Sequence, residues 1–217
     1  MIQRLLLLFT LTFVSLSLQA ETLPQKIKLN FTGPFQVPAS MTFTHDDQQY
    51  KLDTTVHIPF KNMQFISQGL VKNNRLITQS FEDIRSGKPY AYANFDTQNK
   101  TIHYGRAGQK NNAKMTALAQ DFFTTAWQAT LNQAPLTEKV QTTNGKKVYQ
   151  RPPFVKNGTE EGYINGQKTP ITLYVSGEGD DRVELGLSSE HYYLPAFIAY
   201  YEKGKRYELK LKSYKIP

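Results

Sequence analysis

The 217-residue chain contains no cysteine. That absence excludes a disulfide scaffold, a thiolate metal site, a cysteine nucleophile and a lipid-modified cysteine. Tryptophan is scarce, with Trp127 the single copy, and acidic residues are the scarcer charge, 18 Asp+Glu against 26 Lys+Arg. After residue 20 no apolar run approaches the roughly 20 residues that cross a bilayer core, so no transmembrane segment is expected there.

Complete functional motifs are missing as well. None of the four histidines, His45, His57, His103 and His191, has another within the three-to-five spacing of a zinc pair. No Gly-x-Ser-x-Gly elbow presents a nucleophile. The adjacent carboxylates Asp46-Asp47, Glu82-Asp83, Glu160-Glu161 and Asp180-Asp181 lie mostly in turns, and in a strand such neighbours would point to opposite faces. Gly177 and Gly179 precede a strand where a phosphate loop needs a helix. The sequence therefore offers no catalytic residue, no metal ligand and no cofactor site.

What is present begins with a leader. A basic start at Met1 to Arg4, an apolar run from Leu5 to Leu18 and the small residue Ala20 before Glu21 have the layout of a secretory signal peptide. Cleavage is expected between Ala20 and Glu21, leaving 21–217 as a single β-rich domain with a periplasmic address, or a secreted one. Only Arg4 among the charged residues is lost with the leader, so the mature chain stays basic. In Lys203 to Lys215 the lysines alternate with Tyr207, Leu209 and Leu211, the pattern of a half-buried strand with a charged outer face. Nucleic acid is not an expected partner.

Alternation dominates the rest. Ile27, Leu29 and Phe31 alternate with lysine and asparagine, and Tyr50, Leu52, Thr54, Val56 and Ile58 alternate with Lys51, Asp53, Thr55 and His57. Further strands are expected at Gln64–Val71, Leu76–Ile84, Tyr90–Phe95, Thr101–Tyr104, Ile171–Val175, Arg182–Ser188, Ala196–Tyr201 and Tyr207–Tyr214. Short turn-rich separators make neighbours antiparallel hairpins, and Asn144-Gly145 has the composition of a type I′ turn. The expected class is mainly β: an antiparallel meander forming a curved sheet or open barrel, with one main helix at about 116–131. Leu118, Phe122, Phe123, Trp127 and Leu131 give that helix a broad apolar face.

Aromatic residues make up 12% of the chain. Phe122, Phe123 and Trp127 on the helix, with Tyr192 and Tyr193 in the last third, are the candidate ligand-binding residues, able to line an apolar pocket with a polar rim. Asp121, among apolar neighbours, reads as a structural hydrogen-bond acceptor.

Four short motifs carry a resemblance. Ser67-Gln68-Gly69-Leu70, Phe95-Asp96 at a strand end, Ala119-Gln120-Asp121 opening the helix and Tyr193-Leu194-Pro195 resemble the exported domain of unknown function 3108 of Gram-negative bacteria, over Ile27 to Tyr214. The chain departs from that family at Gly186-Leu187-Ser188, where a Trp is frequent, and at Thr124, where Ser is common. The resemblance implies a periplasmic antiparallel β fold and no particular activity. A curved sheet clasping a helix is also similar, more loosely, to the half-barrels of periplasmic lipoprotein carriers.

The expected function is a non-enzymatic binding or carrier module for an apolar or amphipathic envelope ligand, with a lipid or amphipathic small molecule as the partner. Two alternatives stand beside it. One is an envelope hydrolase acting on glycan or lipid through converging carboxylates. The other is an assembly factor that binds an envelope protein through a strand edge.

Overall fold

A computed structural model describes residues 23–217, and the leader expected at 1–20 lies outside the described residues. The chain is mainly β, 64% strand. Its elements run β1 (Lys26–Thr32), β2 (Pro38–His45), β3 (Gln49–Ile58), β4 (Lys61–Lys72), β5 (Arg75–Arg85), β6 (Lys88–Asp96), β7 (Thr101–Arg106), β8 (Asn111–Lys114) and β9 (Leu118–Asp121), then helix α1 (Phe122–Leu131). After the helix come β10 (Val140–Thr143), β11 (Val148–Arg151), β12 (Val155–Ile164), β13 (Gln167–Ser176), β14 (Val183–Ser188), β15 (Leu194–Glu202) and β16 (Lys205–Lys215).

Thirteen strands form one sheet in the order β12-β13-β14-β15-β16-β1-β2-β3-β4-β5-β6-β7-β8, and β11-β10-β9 form a second, small one. Pairing within the large sheet is antiparallel throughout, with β16 beside β1. Its edge strands β12 and β8 do not pair with each other, so the sheet is open and not a closed barrel.

Curvature follows from how the helix packs. α1 touches both β5 and β15, which lie six strand positions apart in the sheet. In a flat sheet six spacings of about 4.8 Å would separate them by about 29 Å, whereas a helix with its side chains is about 10 Å across. The sheet must therefore wrap around the helix. Its concave face supplies the core: Ile27, Leu29, Met41, Phe43, Leu52 and Leu76, all 0–1% exposed, surround Trp127.

The helix begins later than the apolar spacing suggested, at Phe122 rather than near 116. Leu118–Asp121 is instead a strand, paired in parallel with Val140–Thr143. The switch is made by Asp121, whose extended backbone and carboxylate, accepting from the Phe123 and Thr124 amides, start the helix as an N-cap. Two glutamines then join the helical region to the big sheet. Gln128 Oε1 accepts from the Leu76 amide at 2.7 Å, and Gln120 Nε2 donates to the Leu76 carbonyl at 2.8 Å. They satisfy the edge of β5 before β6 begins to pair with it at Ser80.

The Asn144-Gly145 pair does connect two antiparallel strands, β10 and β11. It is not a type I′ turn, because only Gly145 of the two has positive φ. Asn144 Oδ1 instead accepts from the amides of Lys146 and Lys147, closing a longer loop.

Gly69 marks a bulge in the β4–β5 pair. A Cβ at this position would sit 2.0 Å from the backbone carbonyl oxygen of Ile77. Gly69→Ala is expected to lower stability by roughly 1–2 kcal/mol as the two strands part. Chemical denaturation checks this, and an unchanged midpoint would show that the bulge relaxes freely.

Candidate functional site

The antiparallel meander sends alternate turns to the same end of the sheet. One end collects the β1–β2, β3–β4, β5–β6, β7–β8, β13–β14 and β15–β16 connections, and the N-terminus of α1 faces it. The ring of Phe122 meets Tyr200, near the end of β15, edge-on at 5.6 Å. At the opposite end, Thr130 in the last turn of the helix donates to the Tyr193 carbonyl at 2.9 Å.

At the first end lies a cleft with two halves. They share Met63, Phe65, Phe122, Phe123 and Tyr200. The apolar half, about 120 Å³, is lined further by Val37, Val56, Ile58, Ile198 and Leu209. The polar half, about 90 Å³, is lined by Asp83, Arg85, Thr142, Lys146, Arg151 and Glu202 among others. Between the halves runs a chain of ring contacts: Phe81 to Phe65 at 6.3 Å, Phe65 to Phe123 at 5.3 Å, Phe123 to Phe122 at 5.8 Å, and Tyr200 to Tyr207 at 5.2 Å. Met63, Phe65, Phe122 and Ile58 stay half-buried here, so their apolar surface faces the opening and not a sealed interior.

Two exposed phenylalanines flank this end. Phe35, in the β1–β2 connection, is 83% exposed and lines the apolar half. Phe60 projects from the β3–β4 hairpin, fully exposed. Both hold positive φ, 57° and 62°, a region costly for bulky side chains. Strain of that kind persists where the surroundings impose it and is common at ligand clamps.

Charges in the polar half are arranged in pairs. Arg85 grips Asp83 through both carboxylate oxygens, at 3.0 and 2.9 Å, and its guanidinium lies over the Tyr90 ring. Burial, the largest single effect, opposes the charge, but the Asp83 bonds and charge together with Tyr90 and Tyr200 outweigh it and hold the Arg85 guanidinium above its ordinary pKa. Lys146 pairs with Glu202 at 3.1 Å. Asp180 accepts from the Lys203 and Gly204 amides at 2.9 and 2.7 Å. Burial pushes the Tyr200 hydroxyl well above its usual pKa, helped by the Glu202 carboxylate, so it faces the cleft as a neutral phenol.

The five aromatics singled out from the sequence do not form one site. Phe122 and Phe123 lie at the centre of the cleft. Trp127, one turn on, is fully buried in core contacts, stacked on Phe43 at 4.1 Å with Nε1 donating to the Met41 sulfur. Tyr192 and Tyr193 occupy the β14–β15 connection at the other end, where Tyr192 packs edge-on against Tyr214. The seven residue steps from Tyr193 to Tyr200 along β15 span roughly 23 Å. Arg85 and Arg151 were missed. For Arg85 a signal existed, since Phe81, Asp83 and Arg85 share the inward parity of β5. For Arg151 there was none, because one of the two groups that hold it, the Asp181 carbonyl, comes from a distant segment, and Thr142 on the neighbouring hairpin strand carries no charge to mark it.

Among the described residues no group of three His, Asp or Glu side chains is placed to hold a metal ion. Comparison with protein-family models, with curated proteins and with solved structures finds no match to this chain.

Proposed function

We propose that the protein is a non-enzymatic binding module of the cell envelope, taking the apolar part of an amphipathic molecule into the cleft beside Phe122 and Phe123. The observation that carries this reading is the cleft itself. Half-buried apolar side chains gather at one end of the core, directly beside a half built from charged and hydroxyl groups. Transfer of a hydrocarbon chain onto Met63, Phe65, Ile58 and Phe122 removes apolar surface of both partners from water. Neither half has the 300–1,000 Å³ typical of a drug-sized site, which favours a slender single chain over a multi-chain lipid. The exposed rings of Phe35 and Phe60 would cover part of such a chain at the mouth.

The other readings have less support. The hydrolase reading asks for a carboxylic acid free to give up a proton in a cleft. Here Asp83 and Glu202 are held by cations and Asp180 by two backbone amides. The strand-edge reading has β12, ten residues long and largely exposed. That strand carries Lys156, Glu160 and Glu161 along an otherwise free edge, a composition that discourages pairing with another chain.

Native mass spectrometry of residues 21–217 from a periplasmic extract, with solvent extraction of whatever travels along, tests the proposal. A reproducible added mass of single-chain lipid size is the expected result. Phe122→Asp is expected to abolish it, weakening binding by at least about tenfold. The variant keeps its fold, because a carboxylate in the first helical turn suits the helix dipole. A clean apo mass that stays clean on incubation with envelope lipids would remove the carrier reading.

A further inference from the structure

Resting on that carrier reading, we propose that the polar half of the cleft is an oxyanion site in which Arg151 receives the phosphate or carboxylate head of a single-chain amphiphile. Arg151 ends β11 with only 6% of its surface exposed. Its Nε donates to Thr142 Oγ1 at 2.8 Å, Nη1 donates to the Asp181 carbonyl, and the guanidinium lies 4.9 Å from the Tyr149 ring centre. Nη2 has no partner among the described residues, yet it is not one of the sealed, unbonded polar atoms of the interior. Nη2 therefore keeps some access to solvent, and Arg151 lines the polar half of the cleft.

The charge balance around Arg151 sets it apart. The other two cations of the half-cleft each have a carboxylate in contact: Arg85 has Asp83 and Lys146 has Glu202. Arg151 has none within ion-pair distance among the described residues. The carboxylate of Asp181 acts on it only from farther away, and burial lowers its pKa more than that carboxylate raises it. A guanidinium nearly removed from water without a carboxylate is costly to keep. Nη2, with the second N–H of Nη1 beside the one given to Asp181, matches the two oxygens of a phosphate or carboxylate, the bidentate geometry in which arginine is strongest. Thr142, Thr143 and Asn144 add neutral polar groups to the same wall. The adjoining apolar half then takes the chain attached to that head, so one molecule spans both halves.

Isothermal titration calorimetry on the mature chain separates the two claims. The probes are a lysophosphatidic acid, the monoacylglycerol of the same chain length, and inorganic phosphate, all below micelle-forming concentration. The lysophosphatidic acid is expected to bind about 10-fold to 100-fold more tightly than the neutral monoacylglycerol. Arg151→Gln should erase that preference, and Arg151→Lys should restore it only in part. Equal affinity of the wild type for both amphiphiles would overturn the oxyanion site and leave the carrier reading standing. Binding of phosphate alone, with neither amphiphile, would uphold the oxyanion site and remove the carrier reading. No heat with any probe would remove both. Should Arg151→Gln not fold, the wild-type contrast between charged and neutral amphiphile still decides the matter.

Discussion

Trp127→Ala is expected to lower the free energy of unfolding by about 3–5 kcal/mol, the largest single effect of any substitution considered. Trp127 is fully buried at the centre of the concave face. Its ring stacks on Phe43 at 4.1 Å and 18°, and its Nε1–H reaches the Met41 sulfur, so one side chain ties α1 to β2. Because the sheet wraps around the helix, truncation leaves a void bounded on several sides by strands that cannot all move inward. Trp127→Phe keeps the stacking and most of the volume, and should cost less than half as much. Urea denaturation followed by far-ultraviolet circular dichroism measures both, since the alanine and phenylalanine variants lack the chain's only tryptophan. A loss below about 1 kcal/mol for the alanine variant would mean that the helix does not bear on the sheet as described.

Why this core was legible in the sequence while the site was not has a physical basis. Strands such as β1, β3 and β16 have one wet face, so burial imprints a period of two: Ile27, Leu29 and Phe31 are buried and Lys26 and Lys28 exposed. β12 carried no such signal because nearly all of it is exposed, leaving burial nothing to select. β2 has the pattern too, with Ala39, Met41 and Phe43 buried, but Ser40, Thr42 and Thr44 between them are small and blur the contrast. Helix spacing and strand pairing also compete over Leu118–Asp121. Leu118 lies four before Phe122, as in a helix, yet its segment gains a partner in Val140–Thr143 that no local pattern reveals.

The cleft depended on contacts still farther apart. It joins the ends of β3, β4, β5, β15 and β16 to the first turn of α1 and to the loop after β10, and only the folded meander brings these together. Local chemistry nominated Phe122 and Phe123, which the fold places in the cleft. It grouped them with Tyr192 and Tyr193 because all four are large and aromatic, a property that says nothing of which end of the sheet each occupies. The acids that open turns gave the reverse case. Asp46 and Asp96 accept from backbone amides in their turns, which holds both below the usual carboxylate range and marks them as turn formers.

Asp121→Ala is expected to destabilise the protein by about 2–3 kcal/mol at mildly acid pH, with the penalty shrinking as the pH rises. The cap is needed throughout, since Asp121 Oδ1 accepts from the Phe123 and Thr124 amides at 3.0 and 3.1 Å inside the core. Its protonation supplies the pH dependence. The side chain is completely buried and touches no cation among the described residues, so burial raises its pKa, against the pull of the bonds from Thr124 and the backbone. The folded state then holds the proton longer than the unfolded chain, whose aspartate titrates near pH 3.9. Stability from this group is complete below that value and falls as the pH climbs through the raised folded pKa, opposite to an ordinary surface N-cap aspartate. A hydroxyl chain suits either protonation state, because Asp121 meets Thr124 Oγ1, which lies 3.3 Å from the Tyr50 hydroxyl, and Tyr50 donates to Thr78 at 2.9 Å. Asp121→Asn, an acceptor that never ionises, should therefore retain most of the stability and gain on the wild type as the pH rises above about 4. Denaturation of wild type, alanine and asparagine variants across that range makes the comparison, with the titration of all other groups cancelling in the differences. If the asparagine variant instead lost ground as the pH rose, Asp121 would be ionised in the folded core, stabilised there by the helix N-terminus more strongly than burial opposes it.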